Sequence, residues 1–187
     1  MRQKTSTRLR ELLAQKKTLV KPGAFNALTA KIIEKAGFSC CGVSGYAVSA
    51  SLLGKPDVGL ITLNELVMIS RYICNAVSIP VIADADTGFG NAINVMRTVE
   101  DFINAGVAAI HIEDQVAPKR CGHVAGKQIV SAEEMVGKLK AADRVRRELD
   151  PDFVLIARCD ARGVSGGDLD DLIDRSNAYL DAGADMI

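Results

Sequence analysis

Short apolar runs alternate with longer amphipathic segments along the whole chain. The runs lack the apolar–polar alternation of a half-exposed strand, so they predict strands that are buried on both faces. The longer segments repeat apolar residues at helical spacing, which predicts helices that pack on a sheet. The predicted strands are Thr18–Lys21, Cys40–Ser44, Pro80–Ala83, Ala108–Ile112, Phe153–Ala157 and Asp185–Ile187. The predicted helices are Ala27–Ala36, Leu63–Ala76, Ala92–Ala105, Ala132–Leu149 and Leu169–Ala182, preceded by an amphipathic helix on Leu9, Leu12 and Leu13.

Strict alternation of strand and helix predicts an α/β fold with a parallel sheet, because each parallel crossover needs a covering helix. Three predicted helices end in Ala-Gly, as expected where a glycine takes the left-handed conformation after a helix. A doubly wound sheet is less favoured because Gly88-Phe89-Gly90 lacks the third glycine of a phosphate loop. We therefore predict that residues 1–187 form a single, partial (βα)8 TIM barrel with strands 1 to about 6.

A complete barrel takes about 250 residues. We therefore expect the C-terminal part of the barrel to be missing from this chain. The chain alone is then expected to be inactive, since the closing strands and their share of the site would be absent.

Composition narrows the class of partner. The chain has 23 basic and 23 acidic residues, which gives no basic surface for nucleic acid. No apolar run approaches the roughly 20 residues that cross a membrane. The five cysteines are odd in number and contain no CxxC pair, so they predict neither a disulfide framework nor a zinc site. The sequence therefore predicts a cytoplasmic protein that binds neither nucleic acid nor a membrane.

Acidic side chains collect where the predicted strands end. Asp84 and Asp86 follow the third strand at the two-residue spacing of one strand face, and His111 and Glu113 do so in the fourth. In a barrel, the carboxyl ends of the strands carry the functional residues. Clustered carboxylates need a cation, and oxygen donors suit Mg2+ or Mn2+. Each acid alone is more often a cap or an ion-pair partner, and Arg158 could neutralise part of the cluster or bind a substrate carboxylate.

The segment after the fourth strand carries an uncommon run, Lys119-Arg120-Cys121-Gly122-His123. Residues 115–129 are too polar and irregular to form a helix. A thiol among cations is a competent proton donor or acceptor near neutral pH. Gly122 and Gly126 would let the segment fold over a ligand and open again. The alternative is a solvated charged loop without a catalytic role.

Three motifs together resemble the isocitrate lyase and phosphoenolpyruvate mutase superfamily. They are Asp-Ala-Asp-Thr-Gly-Phe-Gly at 84–90, His-Ile-Glu-Asp-Gln at 111–115 and Lys-Arg-Cys-Gly-His at 119–123. The likeness extends from Pro22 to the last residue, and the third motif is typical of the lyase branch. The resemblance implies a Mg2+-dependent enzyme that forms homo-oligomers, which are tetramers in this family.

The resemblance also implies a role for each residue of the site. Metal binding is implied for four acids, of which Asp86 is the direct ligand: Asp57, Asp84, Asp86 and Glu113. Substrate binding is implied for five residues: Ser44, Gly45, Tyr46, Gly122 and Arg158. Catalysis is implied for the cysteine motif, with Cys121 as the acid and three residues as its electrostatic support: Lys119, Arg120 and His123.

The implied reaction breaks the C2–C3 bond of a 2-hydroxy di- or tricarboxylate, of the 2,3-dimethylmalate or 2-methylisocitrate type. The products would be a 2-oxoacid such as pyruvate and a second carboxylate. Gly42 stands where methylisocitrate lyases carry a tyrosine, so the general base stays open, with Tyr46 as one substitute. Two alternatives remain: an isomerase of the carboxyphosphonoenolpyruvate mutase type, and an inactive remnant of a longer protein.

Overall fold

Five parallel strands form one sheet in the computed structural model, which describes residues 3–122, 124–164 and 167–187. The strands are β1 (Gly23–Ala24), β2 (Cys41–Val43), β3 (Val81–Asp84), β4 (Ala109–Glu113) and β5 (Val154–Arg158). Each strand pairs with the next one along the chain. Beyond β5, Met186 makes an isolated parallel bridge with Ile156. A sheet in unbroken sequence order is the arrangement of a (βα)8 barrel, whereas a doubly wound sheet reverses its order. The chain is therefore a partial barrel, as predicted.

Several helices flank this sheet. They are α1 (Thr5–Ala14), α2 (Ala27–Lys35), α3 (Gly45–Val48), α4 (Leu63–Ala76), α5 (Ala92–Asn104), α6 (Ala132–Leu149) and α7 (Leu169–Asp181), with a π-helical turn at Ser49–Leu53 and a 3-10 turn at Ala161–Gly163. The helices α2, α4 and α5 begin with reciprocal capping boxes, led by Asn26, Thr62 and Asn91. The three Ala-Gly joints are confirmed, since the glycines after α2, α5 and α7 all have positive φ.

The two faces of the sheet carry different chemistry. Outward side chains such as Ile110 and Leu155 pack with Phe102 and Leu139 of the helices in the main apolar core. Inward side chains change from apolar to polar along the strands. In β5, for example, Val154 lies in the apolar interior of the barrel and Arg158 lines a cavity at the carboxyl end. The barrel interior is therefore apolar at the amino ends of the strands and polar at their carboxyl ends.

Helix α1 closes the lower, apolar end of the barrel interior. Its Leu9 is buried against Ile82 and Val154, the first inward residues of β3 and β5. The hydroxyl of Ser6 donates to Asp150 at 2.7 Å, and Arg10 pairs with Asp185 at 3.1 Å. These contacts confirm the amphipathic helix that the sequence predicts before the first strand.

The predicted first strand, Thr18–Lys21, is wrong. Pairing begins later, where the Pro22 carbonyl accepts from the Gly42 amide at 2.8 Å and β1 follows. Val20 is 55% exposed, so the apolar run there is not buried on both faces. Leu19 packs instead against the cluster around Leu9. A local sequence pattern cannot show which backbone groups will have a hydrogen-bond partner on a neighbouring strand. Leu19 of this segment packs towards α1 instead of into the sheet.

No helix in the described part of the chain is long and apolar enough to cross a membrane.

Candidate active site

A cavity of about 680 Å3 opens at the carboxyl ends of the strands. It gathers nine of the residues that the sequence assigns to the site: Ser44, Tyr46, Asp57, Asp84, Glu113, Lys119, Cys121, Gly122 and Arg158. His111 lines it as well, on the same face of β4 as Glu113, as their spacing predicts. Three of the four acids, part of the cysteine motif and the arginine therefore line one cavity, although they come from five separate segments.

The first acids are brought together by the turn that follows β3. Asp84 is the last residue of the strand, and Asp86 has a left-handed backbone with φ 44°. This turn lets the Asp86 amide donate to Asp84 Oδ1 at 3.0 Å, while the Gly45 amide donates to Asp84 Oδ2 at 3.2 Å. The sequence predicts that the two carboxylates lie together; the structure shows that the turn, rather than the strand pleat, brings them there. Gly45 thereby contacts the acids directly at the start of α3.

Lys119 lies between two of these carboxylates. Its ammonium is 2.7 Å from Asp57 Oδ1 and 2.8 Å from Asp86 Oδ1, and its side chain is 5% exposed. Burial, followed by the charge of Asp84, raises the pKa of Asp86 to about 6, although Lys119 acts to lower it. Burial acts to lower the pKa of Lys119, but the charges of Asp86 and Asp84 raise it above its usual value. The lysine is therefore a firmly protonated counter-ion of the acids.

Glu113 is the least satisfied acid of the cavity. Burial raises its pKa to about 8, and its Oε2 lies 3.6 Å from Arg158 Nε. Its Oε1 is buried and has no hydrogen-bond partner among the described residues. Beside it, burial lowers the pKa of His111, against the opposing charge of Asp84 at 3.6 Å. A buried oxygen without a partner is a free acceptor for a ligand or an ion.

The donor set fits a hard divalent cation. Four carboxylates reach the same region, and oxygen donors of this kind are those that Mg2+ and Mn2+ prefer. As placed, no three of the described acidic, histidine or cysteine side chains converge closely enough to form a ready-made metal cage. The ammonium of Lys119 stands between Asp57 and Asp86.

The cysteine loop is anchored at its base and held against the acids. Gln115 and Ile129 form an antiparallel bridge, and the described residues between them contain no helix, as predicted. The Gln115 side chain donates to the Arg120 carbonyl at 3.0 Å and accepts from the Arg120 amide at 2.9 Å. The Cys121 amide donates to the Asp57 carbonyl at 3.1 Å. The half-buried thiol of Cys121 therefore belongs to a backbone segment with fixed attachments.

Gly122 packs closely against Arg158. A Cβ atom at this position would lie 2.0 Å from the Arg158 guanidinium, so a side chain here would require the arginine to move. Arg158 also pairs with Asp160 at 3.3 Å. Burial acts to lower the pKa of Arg158, but the charges of Asp160 and Glu113 raise it, which keeps the guanidinium charged. The loop thus meets the end of β5 at Gly122.

Two of the predicted supporting residues do not stand as expected. Arg120 points away from the cavity, and its guanidinium donates to the Ala125 carbonyl at 3.3 Å beside Gly126. This position does not favour the expected role of Arg120 as an electrostatic partner of Cys121, because its guanidinium contacts its own exposed loop. Lys119 faces the acids instead of the thiol. His123 lies outside the described residues.

Sequence reasoning missed two lysines. Lys127 donates to the Gly122 carbonyl at 2.7 Å and lies 3.3 Å from Asp160, with a side chain only 7% exposed. Lys21 lines the cavity and lies over Gly42, where an added Cβ would come within 3.0 Å of its chain. A charged residue inside an apolar run was a usable signal for Lys21. Nothing in the sequence separates Lys127 from an ordinary loop lysine.

Replacing Lys127 with methionine should loosen the cysteine loop. The variant loses a buried charged hydrogen bond to Gly122, and such bonds contribute about 1.5–3 kcal/mol, so amide exchange in residues 116–122 should quicken about tenfold. Hydrogen exchange followed by mass spectrometry measures this. Lys140→Met is the matched control, since Lys140 is exposed on α6 and makes no ion pair in the part of the chain that is described. Equal exchange in both variants would contradict the assigned role of Lys127.

Comparison with known proteins identifies the family. A sequence model of phosphoenolpyruvate phosphomutase matches residues 9–187. The 2,3-dimethylmalate lyase of Eubacterium barkeri is 55% identical over 98% of this chain and 62% of its own length. The chloroplastic carboxyvinyl-carboxyphosphonate phosphorylmutase of Arabidopsis thaliana is 49% identical over 96% of this chain and 53% of its own length. The chain thus spans little more than half the length of these relatives.

Solved structures agree with this result. A crystal structure of 2,3-dimethylmalate lyase, described as a PEP mutase/isocitrate lyase superfamily member, matches with a TM-score of 0.92 and 40% identity, over 98% of this chain and 61% of that one. A phosphonopyruvate hydrolase in complex with oxalate and Mg2+ matches with a TM-score of 0.88 and 37% identity, over 98% and 62%. The chain therefore belongs to the phosphoenolpyruvate mutase/isocitrate lyase superfamily.

Proposed function

We propose that this chain carries the catalytic site of a Mg2+-dependent carbon–carbon lyase. Its substrate would be a 2-hydroxy di- or tricarboxylate of the 2,3-dimethylmalate or 2-methylisocitrate type, and its products a 2-oxoacid such as pyruvate and a second carboxylate. The observation that carries this proposal is one cavity lined by three acids, Cys121 and Arg158, with Asp86 paired to Lys119 beside it. The 55% identity to a dimethylmalate lyase supports the substrate class.

The acids would hold the metal ion. Asp86 would be the direct ligand, with Asp57, Asp84 and Glu113 around it, and the unpartnered Glu113 Oε1 would gain a partner. Mn2+ would suit the same oxygen donors. When bound, the cation would polarise the oxygens of the 2-oxoacid half of the substrate. The Mg2+ in the phosphonopyruvate hydrolase complex supports this assignment.

Two groups of residues would bind the substrate carboxylates. Arg158 is 45% exposed at the cavity and always charged, which suits a bidentate contact with a carboxylate. The segment Ser44–Tyr46, where α3 begins, would receive the second carboxylate through the Ser44 hydroxyl and the Tyr46 amide, since the Gly45 amide already donates to Asp84. These contacts would fix the C2–C3 bond beside the thiol of Cys121, which lines the same cavity.

The chemistry follows from these positions. A general base removes the proton of the 2-hydroxyl, and Tyr46 is our choice because it lines the cavity near the acids. The C2–O bond becomes a carbonyl as the C2–C3 bond breaks, and its electron pair stays on C3 as an enolate-like carboxylate. The thiol of Cys121 gives its proton to C3; solvent then takes the proton from the base and returns one to the thiolate, which restores both groups. The cations around the cavity stabilise the developing negative charge.

Turnover of defined substrates tests the proposal. We expect the full-length protein to release pyruvate from 2,3-dimethylmalate or 2-methylisocitrate with Mg2+ and to stop with a chelator. The identity to the Arabidopsis phosphorylmutase favours one competing function, isomerisation of a phosphonate. Assays with phosphonopyruvate and oxaloacetate as substrates, followed by 31P and 1H NMR, distinguish the isomerase from the lyase. Turnover of phosphonopyruvate alone, or of none of these acids, would contradict the proposed lyase function.

The proposal also covers the compartment and the oligomeric state of the enzyme. We propose a cytoplasmic homo-oligomer whose ligands are small carboxylates. All five cysteines are free, which fits a reducing compartment. Size-exclusion chromatography with light scattering on the full-length protein tests the oligomer.

A further inference from the structure

Lys21 is the cation of the active-site cavity to which the proposed function assigns no partner. Three lysine or arginine side chains line this cavity: Lys21, Lys119 and Arg158. The last two pair with acids, whereas Lys21 makes no hydrogen bond or ion pair with another described residue. Lys21 is also exposed, so a ligand in the cavity can reach it. A positive charge in this position is available to an anionic substrate.

The side chain of Lys21 runs along the inside of the barrel past Gly42. Gly42 lies on the inward face of β2, since it pairs with Ile82 of the lower apolar cluster. A Cβ atom at Gly42 would lie 3.0 Å from Cδ and Nζ of Lys21 and 3.1 Å from its Cε, so the glycine leaves the room that the lysine occupies. Lys21 lines both the apolar groove beside Leu9 and the polar cavity above it. Its stem therefore covers apolar surface while its ammonium reaches the polar end.

The ammonium of Lys21 lies on the strand face that leads to Ser44. Gly42 and Ser44 are two residues apart in extended backbone, so they share a face and stand about 7 Å apart. The Ser44 hydroxyl oxygen accepts from the Ala47 amide at 3.3 Å, which leaves the hydroxyl hydrogen free to donate. In the proposed function this hydroxyl and the Tyr46 amide receive a substrate carboxylate, but neither group carries a charge. A carboxylate bound there would span the short distance to Lys21 and gain a counter-ion.

The contact of Gly45 identifies which substrate carboxylate this is. The Gly45 amide donates to Asp84 Oδ2 at 3.2 Å, so the segment at 44–46 lies against the acids. Because the proposed function places the 2-oxoacid half of the substrate beside the acids, the carboxylate of that half is the one that this segment receives. Arg158, the last residue of β5, is then left for the other carboxylate. Each end of the substrate would meet one cation, Lys21 or Arg158.

We propose that Lys21 is a substrate-binding residue, whose ammonium binds the carboxylate of the 2-oxoacid half and makes the site selective for substrates that are ionised there. The inference rests on the proposed function for the class of substrate. A lysine that is only solvated, or that pairs with an acid elsewhere in the full-length protein, would leave this selectivity unchanged. Selectivity is therefore the property to measure.

The affinity for pyruvate relative to pyruvamide tests the proposal, since pyruvamide has a similar shape but no charge. In calorimetry on the full-length protein with Mg2+, Lys21→Met should weaken pyruvate binding about 10- to 100-fold, through loss of a hydrogen bond between charged groups, and leave pyruvamide binding unchanged. The KM for the hydroxy acid substrate should rise by a similar factor while kcat changes little. Lys21→Arg should retain part of the preference for pyruvate. Lys17→Met is the matched control, since Lys17 lines the apolar groove and not the cavity.

Gly42→Ala tests the position of the ammonium without removing its charge. The added methyl group would push aside the end of the Lys21 side chain. We expect a several-fold loss of pyruvate affinity in the wild-type background and no further loss when Lys21 is already methionine, because the two changes act on the same contact. Equal losses in both backgrounds would assign the effect to the packing of β2 and contradict the position given to the ammonium.

The remaining outcomes distinguish this inference from the proposed function. An undiminished preference for pyruvate in Lys21→Met overturns the inference, whether the melting temperature is unchanged, as for a solvated lysine, or lower, as for a lysine that pairs with an acid elsewhere. A fall in kcat at constant KM overturns it as well. In each case turnover by the wild type leaves the proposed function standing. If the wild type turns over neither hydroxy acid, the proposed function fails, and the assignment of Lys21 fails with it.

Discussion

Replacing Cys121 with serine should lower turnover by about 10²- to 10⁴-fold while substrate binding survives. Serine keeps the size of the side chain and the backbone contact with Asp57, but its hydroxyl is a far weaker acid than a thiol. The proton for C3 would then have no adequate donor. Rates from the pyruvate assay and affinities from calorimetry measure the two effects separately. Cys74→Ser is the matched control, since Cys74 lies on α4, outside the cavity.

Thiol labelling gives a second readout for the same residue. Burial raises the pKa of each of the other four cysteines: Cys40, Cys41, Cys74 and Cys159. Cys121 lines an open cavity. An alkylating reagent near neutral pH should therefore modify Cys121 first, and a bound substrate should protect it. Equal labelling of all five thiols, or an unchanged rate in the serine variant, would remove Cys121 from the mechanism.

Replacing Asp86 with asparagine should abolish Mg2+-dependent turnover, with a loss of at least about 10²-fold. Asparagine is the suitable replacement because residue 86 has a left-handed φ of 44°, which asparagine tolerates better than alanine. The fold should be preserved, since the change removes one buried negative charge from beside Asp84. Turnover with and without a chelator, together with the melting temperature, measures both effects.

The control for this variant is Asp181→Asn, which removes an exposed carboxylate at the end of α7. It should retain the activity and metal dependence of the wild type. Full turnover by Asp86→Asn in a chelator would show that the carboxylate is not a metal ligand. Loss of both activity and melting temperature would instead assign Asp86 to the fold.

The sequence predicts most of the fold because its signals are local. Strands β2 to β5 are short continuous apolar runs, the long helices have periodic apolar faces, and the Ala-Gly joints follow from the backbone preference of glycine. The first strand was misplaced because pairing depends on a neighbour that the segment itself does not specify. The turn of helix at Gly45–Val48 was missed because a short apolar run fits a strand or a helix equally well.

The same reasoning explains what could be predicted of the site. The acids were found because parallel strands end at one edge, so residues that follow those strands must meet. Lys119 and Arg120 could not be oriented, since an irregular loop has no periodicity and neighbouring side chains can point to opposite sides. Lys127 was missed for a related reason: its partner Gly122 lies in the same irregular loop, and its partner Asp160 lies in another segment. Spacing predicts which elements converge, but it does not predict which loop side chain turns inward.

The Ala-Gly joints have a consequence for how this family diversifies. The amino ends of the strands are reached by short connections, three of which share the Ala-Gly design, and α1 seals them from below. The carboxyl ends of the strands and the dissimilar connections that follow them hold most residues of the cavity. Substitutions can therefore accumulate at the carboxyl ends of the strands and change the reaction, while the amino ends preserve the fold. This separation agrees with the comparisons, in which a lyase and a phosphorylmutase are each about half identical to this chain.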